Sequence, residues 1–432
     1  MMNYDKLTFK CVWLLVKMEL NRRGVNNFMT WKKWISTSTL AAVLILPANA
    51  AFAEEIKSIE DFTERTYGFT AIDGELVADS TLFQYDSGLT FTYPDAVRGV
   101  YVTGHSAGGS RFNDLLKLMD STDLNAMVID IKDDFGDLTY VPAEDSPLKP
   151  LNIGNRYIKD PRAMLEVLEE KKVYPIARVV VFKDSELAKA KPELSFVEGS
   201  EVWKNGRGEA FVNPFMKEVW DHNVAIAIEA AKMGFQEIQF DYVRFPEGFE
   251  NRADELTYSF GEYEGSELDS VQRRVQAVTD FVAYAREQLK PYGVKVSVDI
   301  FGYSATLTEA PGIGQNFGKI SENVDVISSM IYPSHWTPYF GIAKPDLEPY
   351  RLVKEYSKME NAKLAELEHA PISRPWLQDF TASYLGAGNY KKYGAAEVEA
   401  QIRALNESGI NEYLLWNAGN RYSPGVDYTP GS

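Results

Sequence analysis

The sequence predicts an α/β protein: a closed (β/α)8 TIM barrel with a small N-terminal β-rich extension. Three observations carry the prediction. From Val97 onward, short apolar runs rich in β-branched and aromatic residues alternate with amphipathic stretches of helical period. There are eight such runs. About 335 residues house them with no low-complexity linker, which suits one closed barrel. Strict alternation of β and α means parallel strands joined by crossover helices. An open doubly wound sheet is the alternative arrangement.

The elements can be taken in order. Residues 29–53 have a basic start at Lys32 and Lys33, an apolar run through Leu40–Leu46 and a small-residue end at Ala51–Ala53. This is the pattern of a secretory signal peptide cut before Glu54, with residues 1–28 upstream of a start at Met29. The apolar run is too short for a stable membrane span, although an uncleaved anchor is the alternative. Removing leader residues 1–53 leaves 379 of 432 and takes away the single cysteine, Cys11, so no disulfide is expected. It also moves the net charge from −17 to −22. A surface this acidic argues against nucleic acid and anionic membrane as partners, and suits a neutral or cationic substrate. Residues 54–96 hold alternating strand-like pieces and turn residues, read as a small β appendage below the barrel.

The barrel proper is assigned to 97–432. Its strand candidates are 97–103, 125–132, 174–182, 237–243, 294–302, 325–332, 375–380 and 412–419. Helical patterns lie between them, bounded by ordinary stop and start signals: Gly234 and Gly409 past helix ends, and Asp160-Pro161 at a helix start. The longest insert, Lys183 to Val212, suits a loop over an active site.

In such a barrel the site forms at the C-terminal ends of the strands. Strand four reads "EIQFDYVRFPEG", with Asp241 in a segment that is otherwise apolar. Alternation along a strand places Gln239 and Asp241 on the face opposite Ile238, Phe240 and Tyr242. Asp130 with Lys132, and Ser297 with Asp299, repeat the pattern. Several strands thus send carboxylates into one axial space, an arrangement costly for a core and suited to a site. Buried ion pairs, Asp241–Arg178 or Asp130–Lys132, are the structural alternative. Asp133, Asp134 and Glu247 read as solvated loop charges.

Two carboxylates across a groove flanked by aromatics are the minimal apparatus for glycoside hydrolysis. Asp241 is the expected nucleophile, held ionised by Arg178, Lys132 or Arg244, and Asp299 the expected acid/base, its pKa raised by Asp241. Tyr303, Tyr332, Trp336 and Trp416 would stack on sugar rings, with Asp130, Lys132, Arg178, Arg244, His335, Gln378 and Asn417 completing the binding set. A rival motif, Gly104-His-Ser106-Ala-Gly108, has the form of a serine-esterase elbow, but no oxyanion segment accompanies it and only His335 follows at a strand end. There is no CxxC, HExxH or GxxxxGK[ST], and none of the four histidines is paired at ligand spacing, so no metal and no cofactor are expected.

The segments "RGVYVTGHSAG", "NAMVIDIKDDFG", "YPIARVVVFKD", "EIQFDYVRFPEG", "VSVDIFGY", "DVISSMIYPSHW", "RPWLQDF" and "YLLWNAGNRY" together resemble a bacterial glycoside hydrolase family first described as a domain of unknown function. The resemblance covers nearly all of 97–425, with "FDYVRFP" the most specific segment. It implies a (β/α)8 barrel distantly similar to α-amylase-like glycosidases, in which the strand-four carboxylate, here Asp241, is the nucleophile. Strand five of α-amylases carries a glutamate as the acid, where this chain has Asp299. The expectation is a secreted or cell-surface monomer acting on a polysaccharide or oligosaccharide, with a non-catalytic carbohydrate-binding barrel as the alternative.

Overall fold

The computed structural model describes residues 67–71 and 83–430. The expected leader, its signal peptide and Cys11 lie outside the described residues, as does part of the 54–96 extension. Within that extension Gly68–Ala71 (β1) and Phe83–Asp86 (β2) form an antiparallel hairpin. Phe69 and Tyr85 of the hairpin pack against Tyr292, just past the longest helix, Ser270–Leu289.

Eight parallel strands then close a ring: Arg98–Val102 (β3), Ala126–Lys132 (β4), Tyr174–Val180 (β5), Glu237–Asp241 (β8), Lys295–Phe301 (β9), Val326–Met330 (β10), Trp376–Gln378 (β12) and Tyr413–Trp416 (β13). Pairing of β13 with β3 on one side and of β9 with β10 on the other completes the closure. The barrel is therefore closed, and all eight strand candidates become its staves. The two-residue strands Val197–Glu198 (β6) and Glu201–Val202 (β7) form a hairpin within the insert after β5, and Ile372–Ser373 (β11) runs beside β10.

The long helices sit where their periodicity places them, while the insert expected as a loop also holds a short helix, Ser185–Ala190. Pro161–Glu170 starts after Asp160, whose carboxylate accepts the Ala163 N–H, with proline at the first helical position. Lys217–Met233 ends at Gly234, whose left-handed backbone (φ 118°) suits glycine.

The hydrophobic core has two layers. The larger lies between the strands and the helical ring, and includes Ile129, Val179, Phe240 and Val298 from the outward faces of the strands. The smaller fills the barrel axis with Val97, Tyr101, Ala126, Val128, Tyr174, Ile176, Tyr332, Trp376 and Leu414. At the end where the strands begin, Arg374 is fully buried, donating to Glu237 (2.7 Å), Glu412 (2.8 Å) and the Tyr93 hydroxyl (2.8 Å). These charges are paired among themselves, so that end is sealed by a structural network. The inward carboxyls Asp241 and Asp299 lie toward the other end, where the strands finish.

Candidate active site

The site is built on β8 and β9, adjacent parallel strands in the register Gln239↔Ser297 and Phe240↔Val298. Asp241 and Asp299 come next on each strand, side by side on the inward face. Neighbouring strands lie about 4.8 Å apart, so the two carboxyls are close neighbours.

Asp241 is held by Arg178 from β5: the guanidinium donates to Oδ2 from Nε (3.0 Å) and from an Nη (2.6 Å). Its Oδ1 accepts the N–H of Tyr242 at 2.6 Å. Tyr242 has a left-handed backbone (φ 52°), a conformation that costs a tyrosine about 1 kcal/mol and turns the chain sharply after Asp241. Arg178 serves two further carboxylates, Asp130 (2.7 Å) and Asp134 (2.8 Å). One buried cation thus gathers three acids.

Asp299 stands differently. Among the described residues no cation forms an ion pair with it, and Arg178 acts on it only from a distance. Its Oδ1 accepts the indole N–H of Trp376 at 2.7 Å. Burial, and then the charge of Asp241, push its carboxyl well above the usual carboxylate range. Side by side, one carboxyl is clamped by a guanidinium and its neighbour is driven toward the protonated form.

The surrounding groups reinforce this asymmetry. Burial raises Asp130 to about 6 despite the attraction of Arg178, and its Oδ2 accepts the Tyr101 hydroxyl at 2.5 Å. Asp134 goes the other way: against the cost of burial, Arg178 and Lys183 pull it down to about 2. Tyr101 and Trp416 stack at 4.0 Å, and the Arg178 guanidinium lies 5.4 Å from each ring. Trp376 meets Trp416 edge-on at 5.5 Å. Tyr332, buried on the axis, is raised by burial and then by Asp299 and Asp241.

The expected site residues divide into three groups. Asp130, Arg178, Asp241, Asp299, Tyr332 and Trp416 come together around the axis. Arg244, Tyr303, His335 and Trp336 lie at the rim. Arg244 pairs with Glu247 (3.2 Å) and rests 4.6 Å from the Phe301 ring, Tyr303 stacks on Phe301, and His335 is exposed. Trp336 is half-buried against Tyr356, its ring turned toward the helical layer.

Lys132, Gln378 and Asn417 do other work. The register shifts between Asp130 and Lys132, which breaks the alternation and sends Lys132 outward. There it is fully buried, 2.5 Å from Asp184 and 2.9 Å from the Asn223 side chain. Gln378 ties loops together, accepting from Ser334 N–H and donating to Asp346 and to Phe380 C=O. Asn417 donates to the carbonyls of Asp379 and Arg421.

The esterase elbow is absent. Gly104–Ala107 is a single helical turn whose Thr103 cap accepts the Ser106 N–H. Gly104 is there for close packing, since a Cβ would lie 2.4 Å from Thr139 Cγ2.

Three residues of the site were not read from the sequence: Tyr101, Trp376 and Asp134. The first two look like ordinary barrel-core aromatics, and only position shows that their polar tips reach carboxylates. Their place on the inward face was the available signal. Asp134 is no solvated charge, since Arg178 and Lys183 both bind it.

The fold is a (β/α)8 barrel with two adjacent inward carboxyls, an arrangement that glycoside hydrolysis can use. Residues 99–422 match the model of the family described as "Putative glycosyl hydrolase domain", and the chain belongs to that family. Among solved structures it is similar to a hypothetical protein from Ruminiclostridium thermocellum, at 31% identity over 46% of this chain and 96% of the other, with a TM-score of 0.40. It is similar to the PgaB (BpsB) glycoside hydrolase domain from Bordetella bronchiseptica, at 16% identity over 75% of this chain and 95% of the other, with a TM-score of 0.52. It is also similar to the glycoside hydrolase domain of PelA from Pseudomonas aeruginosa, at 13% identity over 78% and 99%, with a TM-score of 0.42. No curated protein matches the chain.

Proposed function

We propose that this protein is an exported glycoside hydrolase that cleaves a polysaccharide of the cell envelope or an exopolysaccharide. Asp241 acts as nucleophile and Asp299 as general acid and then base. The observation that carries the reading is the asymmetry of the pair: Asp241 is charge-paired to Arg178, while Asp299 makes no ion pair among the described residues and is raised by burial and by Asp241. Neighbouring carboxyls in unlike surroundings, one ion-paired and one not, are what nucleophile and acid roles require. Adjacent in-register strands about 4.8 Å apart suit the 5–5.5 Å carboxyl spacing of retaining enzymes better than the 6.5–9.5 Å of inverting ones. Export rests on the signal-peptide pattern of residues 29–53.

In the first step Asp299 gives its proton to the glycosidic oxygen as an Asp241 oxygen attacks the anomeric carbon. In the second step the Asp299 carboxylate takes a proton from water, which displaces the sugar from Asp241. The Trp376 indole N–H holds one Asp299 oxygen throughout.

A non-catalytic carbohydrate-binding barrel is the second reading. One observation favours it: the Asp241 side chain is only 6% exposed and closed into its pair with Arg178. Asp299 is as buried, at 1% exposed, but makes no ion pair and is held by the Trp376 indole N–H. The deciding experiment measures reducing ends released from a panel of bacterial and plant polysaccharides. Wild type should release them, and Asp241→Asn should be slower by on the order of 10³-fold. Retention on a polysaccharide gel without release by wild type would favour the binding barrel. Equal release by both proteins would remove Asp241 from the mechanism.

A further inference from the structure

We infer that the substrate is a polymer lying across the whole mouth of the barrel, gripped by aromatic rings on opposite rims and cut internally. The cut rests on the hydrolase reading above; the grip rests only on the barrel mouth being a carbohydrate site, which both readings above share. Among the described residues, the exposed Phe and Tyr rings beyond residue 86 are Phe135, Tyr303, Tyr339 and Tyr384. Each lies on a segment that follows the C-terminal end of a barrel strand: β4, β9, β10 and β12 respectively. All four therefore stand at the end of the barrel that carries Asp241 and Asp299.

Their order around the ring matters. Counting from β3, the strand before Phe135 is second and the strand before Tyr339 is sixth, so the two segments face each other across an eight-stranded ring. Tyr303 and Tyr384 flank Tyr339 on the fifth and seventh staves. A line from Phe135 to that arc passes over the axis, where Arg178 and the carboxyls lie. Rings on opposite rims suit a chain of several sugars rather than a single one.

The rings are also held in place. Phe135 is 62% exposed, yet its loop is tied down at both ends. Asp133 Oδ1 accepts the N–H groups of Phe135 (2.9 Å) and Asp137 (3.1 Å), and the Phe135 carbonyl accepts those of Ser185 (2.9 Å) and Glu186 (3.2 Å). Tyr303 stacks on Phe301 at 5.5 Å, Tyr339 sits edge-on to Phe340 at 4.7 Å, and the Tyr384 hydroxyl donates to Ser334 Oγ at 3.2 Å. An apolar ring fixed in water costs free energy that a partner recovers by covering it. The apolar C–H faces of sugar rings fit aromatic faces, and the shared mouth makes a carbohydrate chain the occupant.

The test is affinity electrophoresis of the full chain in gels containing soluble β-glucan, chitosan, galactomannan or α-glucan. Wild type should be retarded by at least one of them. Phe135→Ala/Tyr384→Ala should bind that polymer about tenfold more weakly. Val167→Ala, an exposed apolar side chain on the helical flank, should bind as wild type does. Equal retardation of the double variant, or no retardation of wild type in any gel, would overturn the grip. Retardation without release of reducing ends would leave the grip standing and sink the hydrolase. If the polymer is cut, viscosity should fall well before most reducing ends appear; release of terminal sugars at constant viscosity would overturn internal cutting.

Discussion

At the scale of single residues, the pH response follows from who touches Asp299. Catalysis as proposed needs Asp299 protonated, so activity is lost as pH rises through its raised pKa. The high-pH limb should therefore lie well above the ordinary carboxylate range. The Trp376 N–H bonds to the carboxylate and so lowers that pKa, opposing burial and Asp241. Trp376→Phe should move the high-pH limb further up while lowering the rate through lost positioning, measured as kcat/KM against pH. A limb that stays in place would show that this hydrogen bond does not act on the titrating group. Asp299→Asn should lower kcat by about 10²–10⁴-fold. The parity of Asp241 and Asp299 was legible because inward residues alternate on a strand. Trp376 was not, because its partner lies on β9 and nothing near Trp376 in the chain announces a carboxylate.

At the scale of elements, the register shift in β4 decides which charges serve the site. Asp130 faces Arg178; Lys132, two residues on, faces the Lys217–Met233 helix through Asn223. Alternation alone put both inward, because an irregularity in a strand leaves no mark in the hydrophobic pattern. Lys132→Met would leave Asp184 buried without its cation and should cost about 3–5 kcal/mol of stability by urea unfolding. The folded fraction should keep its turnover, since Lys132 lies away from the Asp241–Asp299 pair. A turnover loss matching that of Asp241→Asn, without loss of stability, would return Lys132 to the site. The loop after β4 has its own requirement at Gly136, where the backbone is left-handed (φ 101°) and a Cβ would lie 2.0 Å from Asp184 Oδ1. Gly136→Ala should displace the Phe135 loop and weaken polymer retention together with stability.

For the whole molecule, barrel closure is uneven. β4 and β5 pair along most of their length, whereas β10 meets the seventh stave through two short segments, β11 at Val326↔Ile372 and Ile327↔Ser373 and β12 at Met330↔Trp376, where the Ile331 N–H bonds to the Trp376 carbonyl at 3.2 Å. Hydrogen exchange should find the β10–β12 seam opening at lower free energy than the β4–β5 ladder. Uniform protection around the ring would contradict this. This interrupted seam is also where the anchor of Asp299 sits. The alternating pattern made the barrel legible as a whole, because each stave must turn an apolar face to a helix. Seam strength was not legible, since it depends on how many residues two strands distant in sequence happen to share.

Arg178 serves three carboxylates at once, and this bears on the life of a covalent intermediate. Joining a sugar to Asp241 converts a carboxylate into a neutral ester. A guanidinium with one counter-ion would then be stranded in the barrel, and the ester would be penalised for forming. Here Asp130 and Asp134 remain to balance it. The negative charge lost at Asp241 reappears on Asp299 as that group gives up its proton, while Asp130 and Asp134 stay paired to Arg178, so the same arginine can accompany both halves of the cycle without moving.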